Sequence, residues 1–310
     1  MKPTFSAIIP TYNSSGVLSR AIDSALNQSH PPIEVLVIDD GSTDSTHEVV
    51  QTYGDRVRYL ALAHSGRAGL VRNHGIVESR GDYLAFLDAD DAWYPNKLEE
   101  MARSIEAHPD AGLFYSDFNL VDDDLRFLCR ARCENLSGNA YKRLLHRTPI
   151  ATSTAVVKRE CFSVCGLFSA AAACEDWAMW LRVSRKFPLK YVSLALCEYT
   201  RHTRIPSLGS VENLAKAQGP VVENVLGDDP HLTTGERESV RAWAFYREGR
   251  YRMMSGQGRA ALSCFRQSTR HDGLHWRSWL FFIFIRINAV VSRWMVSAAR
   301  SISQSRSEQN

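Results

Sequence analysis

Three carboxylates, Asp88, Asp90 and Asp91, follow directly on the apolar run Tyr83-Leu84-Ala85-Phe86-Leu87. A short apolar run rich in β-formers reads as a buried strand of a parallel sheet, and α/β sheets place ligands at the carboxyl ends of such strands. Carboxylates crowded there repel one another unless a cation sits between them. A hard divalent cation shared with phosphate oxygens meets that demand, and Mg²⁺ or Mn²⁺ prefers oxygen donors. The plainer reading is a strand that runs into an acidic loop, and this stretch alone does not separate the two.

The elements needed to position those acids can be read in order. Phe5 to Pro10 is a buried first strand, and Thr11 to Gly16 is a polar loop at its end. Leu18, Ala21, Ile22, Ala25 and Leu26 form an apolar stripe at helical spacing. Pro31-Pro32 separates that helix from a second strand, Ile33 to Ile38, which makes a βαβ unit with parallel strands. Ser45 and Glu48 have the spacing of a capping box. Val57 to Leu62 reads as a third strand and Leu70 to Ser79 as a helix. Pro95 suits the first turn of a helix running to about His108. Ala111 to Ser116 is another strand, Phe118 to Arg130 an irregular hairpin broken at Asp122-Asp123-Asp124, and Tyr141 to His146 a short helix. Thr154 to Val157 is a strand, Glu175-Asp176 opens an amphipathic helix to Phe187, and a last strand, Tyr191 to Tyr199, leads into Arg201-His202. The acids of Glu175-Asp176 suit the positive end of the helix macrodipole.

From about Ser210 only helical patterns remain. Two helices carrying Trp243, Tyr246, Tyr251 and Phe265 join near Gly256-Gln257-Gly258, as in one tetratricopeptide hairpin. Trp276 to Val291 is apolar, is interrupted by Arg286 and is too short to span a bilayer. The stretch 276–295 reads equally as a helix lying in a membrane interface or as a packing helix. Ser301 to Asn310 reads as a disordered tail. A net charge of +3 on 310 residues, with no block of like charge, argues against nucleic acid as a partner. No secretion signal is apparent, and seven cysteines suit reduced thiols in the cytosol. The four-residue spacings Cys129/Cys133 and Cys161/Cys165 are looser than the usual zinc pairs.

Ile8-Ile9-Pro10-Thr11-Tyr12-Asn13, Val37-Ile38-Asp39-Asp40-Gly41-Ser42-Thr43-Asp44, Arg72-Asn73, Gly81-Asp82-Tyr83 and Leu87-Asp88-Ala89-Asp90-Asp91 occur in that order. Together they resemble the family 2 glycosyltransferases over roughly the first two-thirds of the chain. The resemblance implies a GT-A (Rossmann-like) α/β fold, with a central, mostly parallel sheet flanked by helices, to which the helical patterns beyond Ser210 add an α-helical C-terminal region. It implies a catalytic domain at 1–209, with a nucleotide-sugar half at about 1–110 and an acceptor half at about 111–209, then helices over 210–310. It also implies a nucleotide-diphosphate-sugar donor, a divalent metal (Mn²⁺ or Mg²⁺) and an inverting mechanism. Pro10, Thr11, Tyr12, Asn13, Asp39 and Asp40 would meet the nucleotide, with Asp39 accepting a hydrogen bond from uracil. Such a carboxylate suits thymine and guanine as well, so the base stays open. Arg72 would contact phosphate or base. In Asp88-Ala89-Asp90, Asp88 would reach ribose or sugar hydroxyls and Asp90 the metal, with His202 as a second metal or diphosphate contact. Asp91 would hold the following turn. Asp176 would be the general base that an inverting transfer needs, with Glu175 the fallback and Trp177 beside the acceptor.

No Q-x-x-R-W sequence of the processive members is present, and so transfer of a single sugar is expected. The acceptor would be a saccharide or lipid-linked molecule of surface polysaccharide or glycolipid assembly, at the inner face of a membrane. Two other classes compete. A nucleotidyltransferase would need a Gly-rich basic loop after the first strand, whereas no Lys or Arg occurs between that strand and Arg20. A non-catalytic scaffold working through its helices sits poorly with intact Asp39, Asp88, Asp90 and Asp176.

Overall fold

The computed structural model describes residues 2–283 except 139, 147–148, 172, 203–207, 228, 274–276 and 282. The chain divides into two compact units, Met1–Pro206 and Ser207–Asn310.

The first unit opens with a strand β1 (Phe5–Thr11), helix α1 (Leu18–Leu26), strand β2 (Glu34–Asp39), helix α2 (Thr46–Gln51), strand β3 (Arg58–Ala61), helix α3 (Ala68–Glu78) and strand β4 (Tyr83–Phe86). These four strands are parallel, in the order β3-β2-β1-β4. Every β2 residue and all but one of β1 are buried, which is why these strands read as continuous apolar runs. Side chains alternate across the sheet. Phe5, Ala7 and Ile9 with Val35 and Val37 join the core that holds the buried face of α1. Ile8 and Ile38 face the other way, toward α3. There Gly75 lets the helix approach, since a Cβ on it would meet Ile8 Cγ2 at 2.7 Å and Ile38 Cδ1 at 2.8 Å.

The remainder is strand β5 (Ala92–Trp93), helix α4 (Lys97–Ala107), strands β6 (Leu113–Val121) and β7 (Phe127–Ala131), helix α5 (Tyr141–Leu144), strand β8 (Val156–Lys158), helices α6 (Arg159–Cys165) and α7 (Glu175–Lys186), and strand β9 (Leu189–Thr200). The sheet continues as β8-β6-β9-β5, with β7 paired to β6. β6 and β9 are parallel, whereas β8 is antiparallel to both β4 and β6. This is the expected α/β fold, with antiparallel strands introduced in its second half.

Several local expectations change. The strand expected from residue 111 and the first arm of the hairpin are one long strand, β6, whose pairing with β9 shifts register near Asp117, while the hairpin itself is present, β6 pairing antiparallel with β7 across the break at Asp122-Asp123-Asp124. A shift of that kind breaks the period-2 pattern. Ser45 makes no side-chain cap, and Asp44 accepts the Thr46 amide at 3.0 Å instead. The second unit does contain a capping box, at Thr233 and Glu236, which opens α9 (Thr234–Met254). Ahead of it is α8 (Leu208–Gly227), and after it α10 (Gly258–His271), so the hairpin joins at Ser255–Gln257 as expected. Phe265 and Ala261 are fully buried against Tyr246. Among the described residues no helix is long and apolar enough to cross a membrane. Most of 276–295 and the tail 301–310 lie outside the described residues.

Candidate active site

A cavity of about 630 Å³ opens at the carboxyl ends of β1 and β4 and is lined by Pro10, Thr11, Tyr12, Asn13, Asp40, Arg72, Asp88, Ala89, Asp90 and His202. A nucleotide-sugar falls within the size range of such clefts. Among the described residues, two polar groups there have no partner: Thr11 Oγ1 and Arg72 Nε are both buried without a hydrogen bond. A buried donor or acceptor left unmet costs about 1–3 kcal/mol, which marks both as sites that a bound partner could relieve.

The loop after β1 and the turn after β2 hold each other. Asn13 adopts a left-handed conformation (φ 47°), which Asn tolerates better than most residues. Its amide donates to Ser42 Oγ at 2.8 Å, and its Oδ1 accepts the Thr43 amide at 2.8 Å. Gly41 (φ 76°) makes that turn, and a Cβ on it would lie 2.9 Å from the His64 amide. Tyr12, which is 44% exposed, stacks on His64 with centroids 4.2 Å apart. His64 Nδ1 lies 2.8 Å from the Asp40 carbonyl, and the Asp40 carboxylate accepts amides from Ser65 and Gly66. The sequence offered no sign of His64, which lines the cavity and stacks on Tyr12. Asp39 does not line the cavity. Its carboxylate accepts the Ser42 amide and hydroxyl and the Tyr59 hydroxyl.

Arg72 joins the two acidic segments. It is buried, and its guanidinium donates to Asp88 Oδ1 at 2.7 Å and to Glu175 Oε1 at 2.7 Å. Burial disfavours its charge, but Asp88 and Glu175 more than compensate and hold its pKa above the ordinary arginine value. The expected contact to phosphate or base thus begins from an arginine already paired with two carboxylates.

Glu175 and Asp176 open α7 as the sequence predicts, directly after Cys174 in a left-handed conformation (φ 60°). Non-glycine residues held this way are uncommon and collect at functional sites. Neither acid lines the cavity. Asp176 Oδ1 accepts the Trp177 amide at 2.6 Å, and Thr152 Oγ1 lies 3.4 Å from Oδ2. Burial, and then the charge of Glu175, push the Asp176 carboxyl up to about 6, which poises it to take a proton near neutrality. Trp177 is a correction. It is 2% exposed and its Nε1 donates to Leu144 O at 2.7 Å, so its ring is core and turns no face to an acceptor.

Sequence reasoning missed the turn Thr152–Thr154. Ser153 Oγ accepts the Asp88 amide at 3.0 Å and bonds closely to Asp91 Oδ2, while Asp91 Oδ1 accepts the Thr200 amide at 2.8 Å. Asp91 therefore ties the turn 152–154 to the end of β9 rather than holding the turn that follows it in sequence, and burial with its acidic neighbours pushes its carboxyl well above the usual range. Beneath the turn the buried Lys97 donates to Thr154 O at 2.9 Å. These pairs are tens of residues apart in sequence and leave no local pattern to find.

Asp90 Oδ2 and His202 Nε2 lie 2.8 Å apart at the cavity rim, and His202 Nδ1 lies 2.8 Å from Asp123 Oδ1. The hydrogen bonds to Asp123 and then to Asp90 raise the His202 pKa. Among the described residues no three His, Cys, Asp or Glu side chains form a metal cage. Asp90 and His202 still fit a cation that completes its shell with phosphate oxygens and water, as Mg²⁺ and Mn²⁺ commonly do.

The sheet order and the ligand cleft define a GT-A type of α/β fold. The same fold is found in TarS residues 1–349 from S. aureus in complex with UDP-GlcNAc, with a TM-score of 0.68 at 19% identity over 91% of this chain and 89% of that one. It is also found in the mannosyltransferase PcManGT from Pyrobaculum calidifontis in complex with GDP-Man and Mn²⁺, with a TM-score of 0.59 at 16% identity over 96% and 86%. Residues 6–151 match the family model described as "Glycosyl transferase family 2", and the chain carries a glycosyltransferase domain of that family. An uncharacterized glycosyltransferase of Rickettsia felis is 30% identical over 65% of this chain and 35% of its own length. A putative teichuronic acid biosynthesis glycosyltransferase, TuaG, of Bacillus subtilis is 38% identical over 32% of this chain and 40% of its own. The chain thus spans about a third of the length of the curated relatives it matches.

Proposed function

We propose that this chain transfers one sugar from a UDP- or dTDP-sugar to an acceptor in surface polysaccharide or glycolipid synthesis, with inversion and with the help of a divalent metal. The observation that carries this reading is the cleft beyond β1 and β4, where Thr11 and Arg72 hold unmet polar groups beside Asp88 and Asp90. The relatives' names and the ligands of the structural neighbours agree with it.

In this reading the nucleotide lies along Pro10–Asn13 and Asp40, with Tyr12 and His64 offering an aromatic face. Asp88, oriented by Arg72, reaches the donor's hydroxyls. Asp90 and His202 would hold Mn²⁺ or Mg²⁺, which when bound neutralises charge on the departing diphosphate. Asp176 takes the acceptor's hydroxyl proton as the oxygen attacks the anomeric carbon. Glu175 remains paired with Arg72, which leaves Asp176 the better base. Acceptor binding falls to the second half of residues 1–209, and the stretch 276–295 would serve either as a peripheral membrane contact at the cytoplasmic face or as a packing helix.

The test is thermal unfolding of the full chain with UDP, dTDP or GDP, with and without Mn²⁺. Saturation a hundredfold above Kd stabilises by about 2.7 kcal/mol. A rise in Tm with UDP or dTDP that needs Mn²⁺ is expected. No rise with any nucleotide in the presence of Mn²⁺ would sink the proposal.

A further inference from the structure

Asp123 has no part in the function described so far, yet it contacts the outward nitrogen of His202 at the cavity rim. The tip of the β6–β7 hairpin is built to hold it. Asp122 Oδ1 accepts the amides of Asp124 and Arg126, both at 2.9 Å, and Leu125 takes a left-handed conformation (φ 59°) to close the turn. The base of the hairpin is tied to the end of β9. Val121 pairs with Thr200, and the Arg201 amide donates to Val121 O at 2.8 Å. Asp123 and His202 therefore each leave the same backbone-bonded pair within two residues, and their side chains meet at 2.8 Å. The Asp123 side chain is 16% exposed, while the imidazole is 48% exposed.

We propose that Asp123 is a positioning residue for divalent-metal binding: it accepts the Nδ1 hydrogen of His202 and thereby turns Nε2 toward the position shared with Asp90 Oδ2. A histidine that binds a metal commonly donates its other ring N–H to a carboxylate, which fixes tautomer and ring orientation and strengthens the donor nitrogen. The arrangement here has that order, carboxylate then imidazole then Asp90, over two 2.8 Å contacts. It also gives the hairpin a role that its exposed strand β7 does not explain. The inference rests on Asp90 and His202 as metal donors.

The experiment is a titration of the full-length chain with MnCl₂ alone, followed by electron paramagnetic resonance of free Mn²⁺. Wild type is compared with Asp123→Ala, Asp123→Asn, His202→Ala and the double variant Asp123→Ala/His202→Ala, and circular dichroism checks the fold of each. Loss of such a supporting carboxylate costs about 10–100-fold in affinity, and Asp123→Ala is expected to fall in that range. Asn keeps an acceptor for Nδ1–H, so Asp123→Asn should recover most of the loss. In the His202→Ala background the Asp123 change should add nothing. Wild-type affinity in a folded Asp123→Ala chain overturns the proposal, as does a further loss in the double variant. Absence of Mn²⁺ binding by wild type overturns the metal reading itself, and this one with it, which keeps the two failures apart.

Discussion

At the scale of single residues the proposed transfer turns on Asp176. Its carboxyl is pushed up to about 6, first by burial and then by Glu175. A general base must be deprotonated to act, so kcat is expected to rise from pH 5 to pH 7 and then level, with the midpoint near 6. The linkage runs the other way for stability. The folded value lies above the ordinary aspartate value of 3.8, so the folded chain holds the proton more tightly. This residue therefore favours folding at low pH, and that contribution is lost as pH rises from about 4 through 6. Asp176→Asn should lower kcat by at least the 10²-fold usual for proton transfer while leaving donor affinity unchanged. Steady-state kinetics with a UDP-sugar and calorimetric titration of UDP would check both. Near-wild-type turnover with normal donor binding would remove Asp176 from the role. The replaced carboxylate would also cease to favour folding at low pH, and the difference between the two unfolding curves should appear between pH 4 and 6.

At the scale of elements, the site depends on which strand ends meet. Both Asp-rich segments at strand ends were legible in the sequence, because a continuous apolar run that stops at Asp39-Asp40 or Asp88 is a local pattern. So was the start of α7, where two acids precede an amphipathic stripe. The two-residue β5 and the seven-residue α6 were not, being too short to show a period. The turn 152–154 was not legible either, since its meaning lies in partners 62–65 residues away. Trp177 was misread because an aromatic beside a candidate catalytic acid looks like a ligand contact in sequence, while at helical spacing it faces the core. The turn can be tested by itself. Ser153→Ala removes the acceptor for the Asp88 amide and the donor to the buried Asp91 carboxylate. It is expected to destabilise by about 1–3 kcal/mol. Donor affinity should fall with it, because the peptide that aims Asp88 is released. Chemical denaturation and UDP titration on the same variant read the two effects. A change in stability with donor affinity untouched would show that Ser153 serves the fold alone.

At the scale of the whole molecule, chemistry and helices fall on different stretches of chain. Every described residue lining the cavity at the ends of β1 and β4 lies between Pro10 and His202. The helical unit has its own core around Phe265, which is fully buried, with Tyr246 and Ala261 against it and the Phe281 ring stacked at 5.2 Å. A core this small gains little from any one contact other than its central aromatic, so the cost of removing that ring should be felt through the whole unit. Phe265→Ala is expected to cost about 3–5 kcal/mol there. Far-ultraviolet circular dichroism should then show helix lost at lower temperature than in wild type. The Mn²⁺-dependent gain in stability with UDP should persist, since no residue of the donor cavity belongs to that core. If the nucleotide effect disappeared together with the helices, the donor site would need the second unit, and the division of labour drawn from the cavity lining would be wrong.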